Sequence, residues 1–107
     1  MSAAEQGGRR FARFTQFYTF YLGEHANRTS RRLHFVGTSL SLLCLLAAIA
    51  QSNAWWILAA LVCGYGFAWV GHFFFEKNRP ATFTYPFYSL AGDWVMWSEM
   101  LRGKIKF

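Results

Sequence analysis

Charged side chains are absent from 41 consecutive positions of this 107-residue chain, 35 to 75. One polar triplet, Gln51-Ser52-Asn53, divides this segment into two apolar runs, 35–50 and 54–75. Because a helix rises about 1.5 Å per residue, a run of about 20 residues crosses a hydrocarbon core of about 30 Å. The absence of charge therefore predicts a transmembrane helical hairpin that turns at the triplet. A buried helix pair of a soluble protein is the alternative.

Cysteine is also scarce, with one residue in each apolar run, Cys44 and Cys63. They form no CxxC pair, so neither a zinc knuckle nor a redox pair is indicated. A secretory signal peptide is not indicated either, because the first apolar run begins late and lacks a cleavage-site pattern. We expect the first run to remain in the protein as a membrane anchor.

All eleven basic residues lie outside the uncharged segment, although the net charge is +6. This placement argues against a nucleic-acid-binding protein and favours anionic lipid headgroups as partners of the basic flanks. Because the turn carries no basic residue, the positive-inside rule predicts that both termini are cytoplasmic. The membrane would be the bacterial inner membrane, or the endoplasmic reticulum in a eukaryote.

The flanking segments complete the predicted fold, an all-α integral membrane protein. Residues 1–10 are mostly small or polar and are expected to form a disordered tail, which leaves 11–107 as a single membrane domain. Aromatic and aliphatic residues recur at helical spacing in 11–22 and 87–101. We predict an amphipathic helix in the membrane interface on each side of the hairpin. Packing of the first such helix on protein, and a re-entrant course for the second, are the alternatives. Asn27, Thr29 or Ser30 is expected to cap a helix that continues through His34 into the first run.

Small residues recur every three or four positions in both apolar runs. They are Gly37, Ser41, Cys44 and Ala48 in the first run, and Gly64, Ala68 and Gly71 in the second. Small side chains let membrane helices approach closely, so these faces are expected to pack against each other. The same faces are compatible with a homodimer, which the sequence does not decide.

The three histidines of the chain flank the hairpin. His34 precedes the first run, His72 lies near the end of the second, and His25 lies nine residues before His34. Since a hairpin brings its two ends together, we expect the histidines to meet and to form a candidate metal site. Imidazole suits iron, copper, nickel and zinc, and histidines with a carboxylate are typical of non-haem Fe(II) oxygenases. Hydrogen-bonded structural histidines are the alternative.

Charged residues surround the same end of the hairpin. Glu76 lies four residues after His72, on the same side of a helix, as a ligand or a neighbour of the ligands. Asp93 is a candidate for orienting a histidine N–H from outside. Arg28, Arg31, Arg32 and Arg79 are expected to serve mostly as charge at the membrane surface. Arg31 and Arg79 are the candidates for binding a carboxylate head group, since guanidinium binds carboxylate in a bidentate manner. The arrangement would suit an amphiphile with an acidic head and a long tail.

Two segments resemble the small membrane family of fungal 2-hydroxy fatty acid dioxygenases that act in phytosphingosine breakdown, and its short bacterial relatives. They read YLGEHANRTSRRLHFVGT at 21–38 and GHFFFEKNRPAT at 71–82. The first carries the family's pattern at His25, Asn27 and His34, and the second carries it from Gly71 to Ala81. The fungal proteins are longer and have additional spans between the two segments.

The resemblance implies an Fe(II)-dependent dioxygenase that uses O2 to remove one carbon from a 2-hydroxy fatty acid. By position, His25, His34 and His72 would hold the iron. We further expect Glu76 to be a catalytic residue and Asn27 to be among the substrate-binding residues. Two rival functions are open. One is a non-catalytic membrane module that binds lipid or a partner helix, and the other is a different metal-dependent lipid enzyme, such as a hydrolase. A di-iron enzyme is disfavoured, because three histidines and five acidic residues supply too few ligands.

Overall fold

The computed structural model describes residues 11–107, so the predicted disordered tail, 1–10, lies outside the described residues. Every regular element within 11–107 is helical, as the sequence predicts. The elements are α1 (Phe14–Gly23), α2 (Arg28–Gln51), α3 (Trp55–Val70), a π-helical turn that continues α3 (Gly71–Glu76), a 3-10 turn (Ala81–Phe83) and α4 (Pro86–Leu101).

Helices α2 and α3 form the predicted hairpin. Between them Ser52 adopts a left-handed conformation, and the Asn53 side chain accepts a hydrogen bond from the backbone N–H of Trp55 at 3.0 Å. Helix α2 begins seven residues before the apolar run, because the Asn27 side chain caps it by accepting from the N–H of Ser30 at 3.1 Å. Within residues 11–107, α2 and the continuous helix Trp55–Glu76 are long and apolar enough to cross a membrane.

Glycines allow close contact between α2 and α3. A Cβ atom added at Gly37 would lie 2.6 Å from the Cβ of Phe67 and 2.8 Å from the carbonyl oxygen of Cys63. One added at Gly71 would lie 2.7 Å from the hydroxyl oxygen of Ser30. These separations are too short for a carbon atom, so Gly37 and Gly71 lie where α2 and α3 are in close contact, as predicted for the small residues.

Replacing Gly37 with alanine is expected to destabilise the hairpin by about 1–3 kcal/mol, the usual range for overpacking. The control is Gly66→Ala on α3, where an added Cβ meets no atom within 4 Å. Because alanine favours helix, the control is expected to be neutral or slightly stabilising. Thermal unfolding in detergent measures both variants. Equal melting temperatures would show that Gly37 is not a close-contact position.

Helix α1 packs against α4 rather than lying alone on a surface. Phe17 and Tyr21 of α1 are buried with Met96 and Met100 of α4. Helix α1 therefore packs on protein, which is the alternative that the sequence left open for it. Leu101, on the predicted aromatic and aliphatic face of α4, is exposed. Helix α1 contacts the other side of α4, which carries Met96 and Met100.

Candidate functional site

The three histidines meet at the end of the hairpin opposite its turn, as the sequence predicts. The ring centroids of His25 and His72 are 4.5 Å apart, and those of His25 and His34 are 5.2 Å apart. All three side chains are buried. The loop after α1 supplies His25, the first turns of α2 supply His34, and the π-helical turn supplies His72. We call this group the histidine cluster.

His25 presents an unpaired nitrogen inside the cluster. Its Nδ1 lies 2.7 Å from the carbonyl oxygen of Tyr21, which can only accept a hydrogen bond. Nδ1 therefore carries the proton of the neutral ring, and Nε2 keeps its lone pair. This Nε2 is buried without a hydrogen-bond partner. Because such an atom costs about 1–3 kcal/mol of stability, it calls for a functional explanation.

Asn78 fixes the ring of His72 in the same tautomer. Lys77 adopts a left-handed conformation that reverses the chain, and the N–H of Asn78 donates to the carbonyl of His72 at 3.0 Å. The Asn78 side-chain nitrogen donates to the carbonyl of Glu24 at 2.9 Å, so its oxygen accepts from Nδ1 of His72 at 2.6 Å. The Nε2 of His72 consequently keeps its lone pair as well.

His34 is held by a carboxylate. Its Nε2 lies 2.9 Å from Oδ1 of Asp93, and the hydroxyl of Tyr21 donates to the same oxygen at 2.6 Å. The Nδ1 of His34 lies 3.4 Å from the Thr38 hydroxyl. Asp93 thus orients a histidine N–H, the role that the sequence suggests for it. The cluster contains two rings whose Nε2 atoms carry lone pairs, that of His25 without a hydrogen-bond partner, and a third ring bound to a carboxylate.

Burial sets the protonation of the residues around the cluster. Burial, and then the neighbouring His34 and His72, lower the pKa of His25 well below its ordinary value. Burial and the Asp93 carboxylate raise the pKa of Tyr21, so its hydroxyl stays protonated and can donate. His25 is therefore neutral at pH 7, the form in which imidazole binds a metal.

The metal-free protein is expected to lose stability as the pH falls below about 6.5, the ordinary pKa of histidine. The reason is that unfolded His25 takes up a proton there, whereas the buried ring, with its lowered pKa, stays neutral. Melting temperatures between pH 8 and pH 5, with a chelator present, test this. The variant His25→Leu should show a shallower fall. Parallel profiles would mean that His25 does not contribute.

The remaining predicted site residues have other contacts. Glu76 accepts from the N–H of Asn27 at 2.6 Å, and Asn27 caps α2. Arg31 donates to the carbonyls of His25 at 3.2 Å and Ala26 at 2.9 Å, while its Nε is buried without a partner. The guanidinium of Arg79 lies over the ring of Phe83, 5.3 Å from its centroid. Among these residues, Arg31 adjoins the cluster and retains an unused donor.

Sequence reasoning missed Tyr21 and Asn78. Tyr21 falls within the aromatic pattern of 11–22, and its link to the cluster comes from the turn after α1, which brings the ring of His25 back to the carbonyl of Tyr21. Asn78 gives no signal of its own, because it reaches His72 only through the π-helical turn and the left-handed Lys77.

The donor set suits a metal ion that prefers nitrogen ligands. Two Nε2 lone pairs lie in neighbouring buried rings, one of them without a partner, and a carboxylate supports the third ring, as is common behind metal-bound histidines. Within 11–107, however, no three His, Cys, Asp or Glu side chains are already arranged to hold an ion. The roles of His25, His34 and His72 as ligands therefore stay a prediction.

A groove of about 230 Å³ adjoins the cluster at His34 and Asp93. It runs between α2, α3 and α4, and most of its surface is apolar. The groove thus connects the polar cluster with the apolar half of the hairpin.

The fold and the site define a class of protein, an apolar helical hairpin with a buried histidine cluster at one end. A family model described as 2-hydroxy-palmitic acid dioxygenase Mpo1-like matches residues 11–105. The chain belongs to this Mpo1-like family, as the resemblance of its two segments indicates. No curated protein and no solved structure matches the chain.

Proposed function

We propose that this protein is an integral membrane dioxygenase that uses Fe(II) and O2 to shorten 2-hydroxy fatty acids by one carbon. The observation that carries the proposal is the buried, unpaired Nε2 of His25 beside His34 and His72, in a chain of the Mpo1-like family. A buried histidine with a purely structural role would be expected to form hydrogen bonds through both of its ring nitrogens. A ligand must keep one lone pair free.

The exposure of the hairpin supports a position in the membrane. In the most apolar windows of the two long helices, only 17% and 22% of the residues are buried. Core helices of a soluble protein would be mostly buried. Large side chains such as Ile49 and Val62 are instead exposed, which is costly in water and favourable in lipid. With the basic flanks on the cytoplasmic side, the histidine cluster would lie near the cytoplasmic headgroups.

The iron would be held by His25, His34 and His72. Once bound, Fe(II) would supply the redox chemistry by which O2 cleaves the bond between C1 and C2 of the 2-hydroxy acid. The balanced reaction consumes the 2-hydroxy acid and O2, and yields CO2, water and the fatty acid one carbon shorter.

The residues of the chain would bind and orient the acid head. The unused Nε donor of Arg31 is suited to the substrate carboxylate, because Arg31 already contacts the backbone of His25. Asp93 and Tyr21 keep the ring of His34 in place, and Asn78 does the same for His72. Burial of the cluster limits the access of water to the reacting atoms. Asn27, Glu76 and Arg79 would act less directly, through the first turn of α2 and the loop after α3.

The test is turnover by protein reconstituted with Fe(II) under anaerobic conditions and then exposed to O2. With 2-hydroxypalmitic acid labelled with carbon-13 at C1, we expect labelled CO2, an unlabelled 15-carbon acid and matching O2 uptake. Palmitic acid, which lacks the hydroxyl, is the control and should give none of these products. If iron-loaded protein does not convert 2-hydroxy acids of any length, the proposal is wrong. Release of an intact hydroxy acid from a lipid ester would instead indicate a hydrolase.

A further inference from the structure

The groove beside the histidine cluster has a wall on each of three helices. On α2 it is formed by His34, Thr38, Ser41 and Leu45, which recur every three or four residues and so share one face. The first three carry polar groups and the last is aliphatic. This wall therefore changes from polar to apolar with distance from the cluster.

Helices α3 and α4 provide the other walls. Ile57, Ala60, Leu61 and Gly64 share one face of α3, and Trp94 lies on α4 beside Asp93. Gly64 faces Ser41, since a Cβ added there would lie 3.5 Å from the Ser41 hydroxyl. Leu61 is one turn farther from the cluster, close to the level at which the Ser41 hydroxyl donates to the carbonyl of Ala60 at 2.8 Å, and Ile57 lies one turn farther again.

We propose that this groove holds the hydrocarbon tail of the substrate and that the length of the groove limits the tail length that fits. The inference rests on the proposed function, which places the acid head at the histidine cluster. A ligand with one polar end and a long apolar tail matches the polarity of the groove. A tail lying free in the bilayer would meet no wall, and the protein would not select among tail lengths.

The length of the groove matches a long-chain acid. Eleven residues separate His34 from Leu45, a rise of about 16 Å along α2. A fully extended chain advances about 3.6 Å per three bonds, so about 13 bonds fit this distance. A 16-carbon 2-hydroxy acid has a tail of about this length beyond C2. We therefore expect good binding up to about 16 carbons and weaker binding of much longer tails.

The first experiment is photo-crosslinking in vesicles with a 16-carbon 2-hydroxy acid that carries a diazirine at its tail end. Mass spectrometry should locate the adducts at Leu45, Ile57 or Leu61. A probe with the diazirine near the head should label Trp94 or Thr38 instead. Tail adducts on lipid-facing residues such as Leu58 or Val62 would overturn the inference.

The second experiment compares two matched variants of α3. Leu61 and Leu58 are 51% and 52% exposed, but only Leu61 lines the groove. We expect Leu61→Trp to lower kcat/KM for the 16-carbon acid about tenfold relative to a 10-carbon acid, since pockets discriminate single methylenes by about this factor. Leu58→Trp should leave the ratio unchanged. Equal effects of the two variants would contradict the inference.

The two experiments separate this inference from the proposed function. If tail adducts form in the groove but the protein shows no dioxygenase activity, the tail site is supported and the proposed reaction is ruled out. If the protein is an active dioxygenase but tail adducts form on its lipid-facing side, the proposed reaction is supported and the tail site is ruled out.

Discussion

Replacing His25 with leucine is expected to abolish dioxygenase activity without destabilising the metal-free protein. The leucine removes the only Nε2 atom in the cluster that is known to be buried without a partner, and with it a cost of about 1–3 kcal/mol. It also loses the bond from Nδ1 to the Tyr21 carbonyl, so the net change in stability should be small or favourable. Activity should fall by more than the 10–100-fold typical of residues behind the ligands.

Two measurements on the same preparation test this prediction. The melting temperature in the presence of a chelator should equal or exceed that of the wild type. Fe(II) should raise the melting temperature of the wild type but not of the variant, because only a native state that binds the ion is stabilised by it. A variant that keeps its activity would show that His25 is not a ligand. A variant that simply unfolds would show that the ring is structural.

Replacing Asp93 with asparagine is expected to lower iron affinity or activity about 10–100-fold. The carboxylate of Asp93 accepts hydrogen bonds from both Tyr21 and His34. Asparagine keeps the shape but removes the charge that supports the N–H of His34. Because Asp93 acts through His34, the effect should appear in iron titrations as well as in turnover.

The matched control is Glu99→Gln. Glu99 lies on the same helix, α4, and accepts a hydrogen bond from Tyr18 on α1, as Asp93 does from Tyr21. Tyr18 and Glu99 make no described contact with the three histidines. We expect this control to change stability but to leave iron affinity unchanged. Equal losses of iron affinity in the two variants would mean that Asp93 acts through the packing of α1 on α4.

The hairpin was predictable because its signals are local. The uncharged segment, the polar triplet and the spaced small residues each act within one helix or one turn. Helix α2 begins seven residues before the apolar run, because Asn27, one of the cap residues that the sequence offers, starts the helix, whereas hydropathy detects only the run. The contact of α1 with α4 joins residues about 80 positions apart, as in the Tyr18–Glu99 bond. No local pattern reveals such a pairing.

The meeting of the histidines was predictable for the same reason, since the geometry of a hairpin dictates it. The tautomer and the hydrogen-bond partners of each histidine ring could not be predicted in this way. The tautomer of His72 depends on Asn78, and its position depends on a π-helical turn that no propensity indicates. Glu76 shows the limit of the spacing argument. Although it lies four residues after His72, its carboxylate binds the backbone of Asn27.

The most direct test of the histidine cluster as an iron site is elemental analysis of protein purified anaerobically in detergent. We predict about one iron per chain in the wild type and its loss in His72→Ala, with retained helical content in both. Zinc in place of iron would support the histidine cluster as a metal site but would rule out the proposed iron-dependent reaction. Absence of any metal from the wild type, even after incubation with Fe(II), would contradict the account and leave a module that binds lipid or a partner helix.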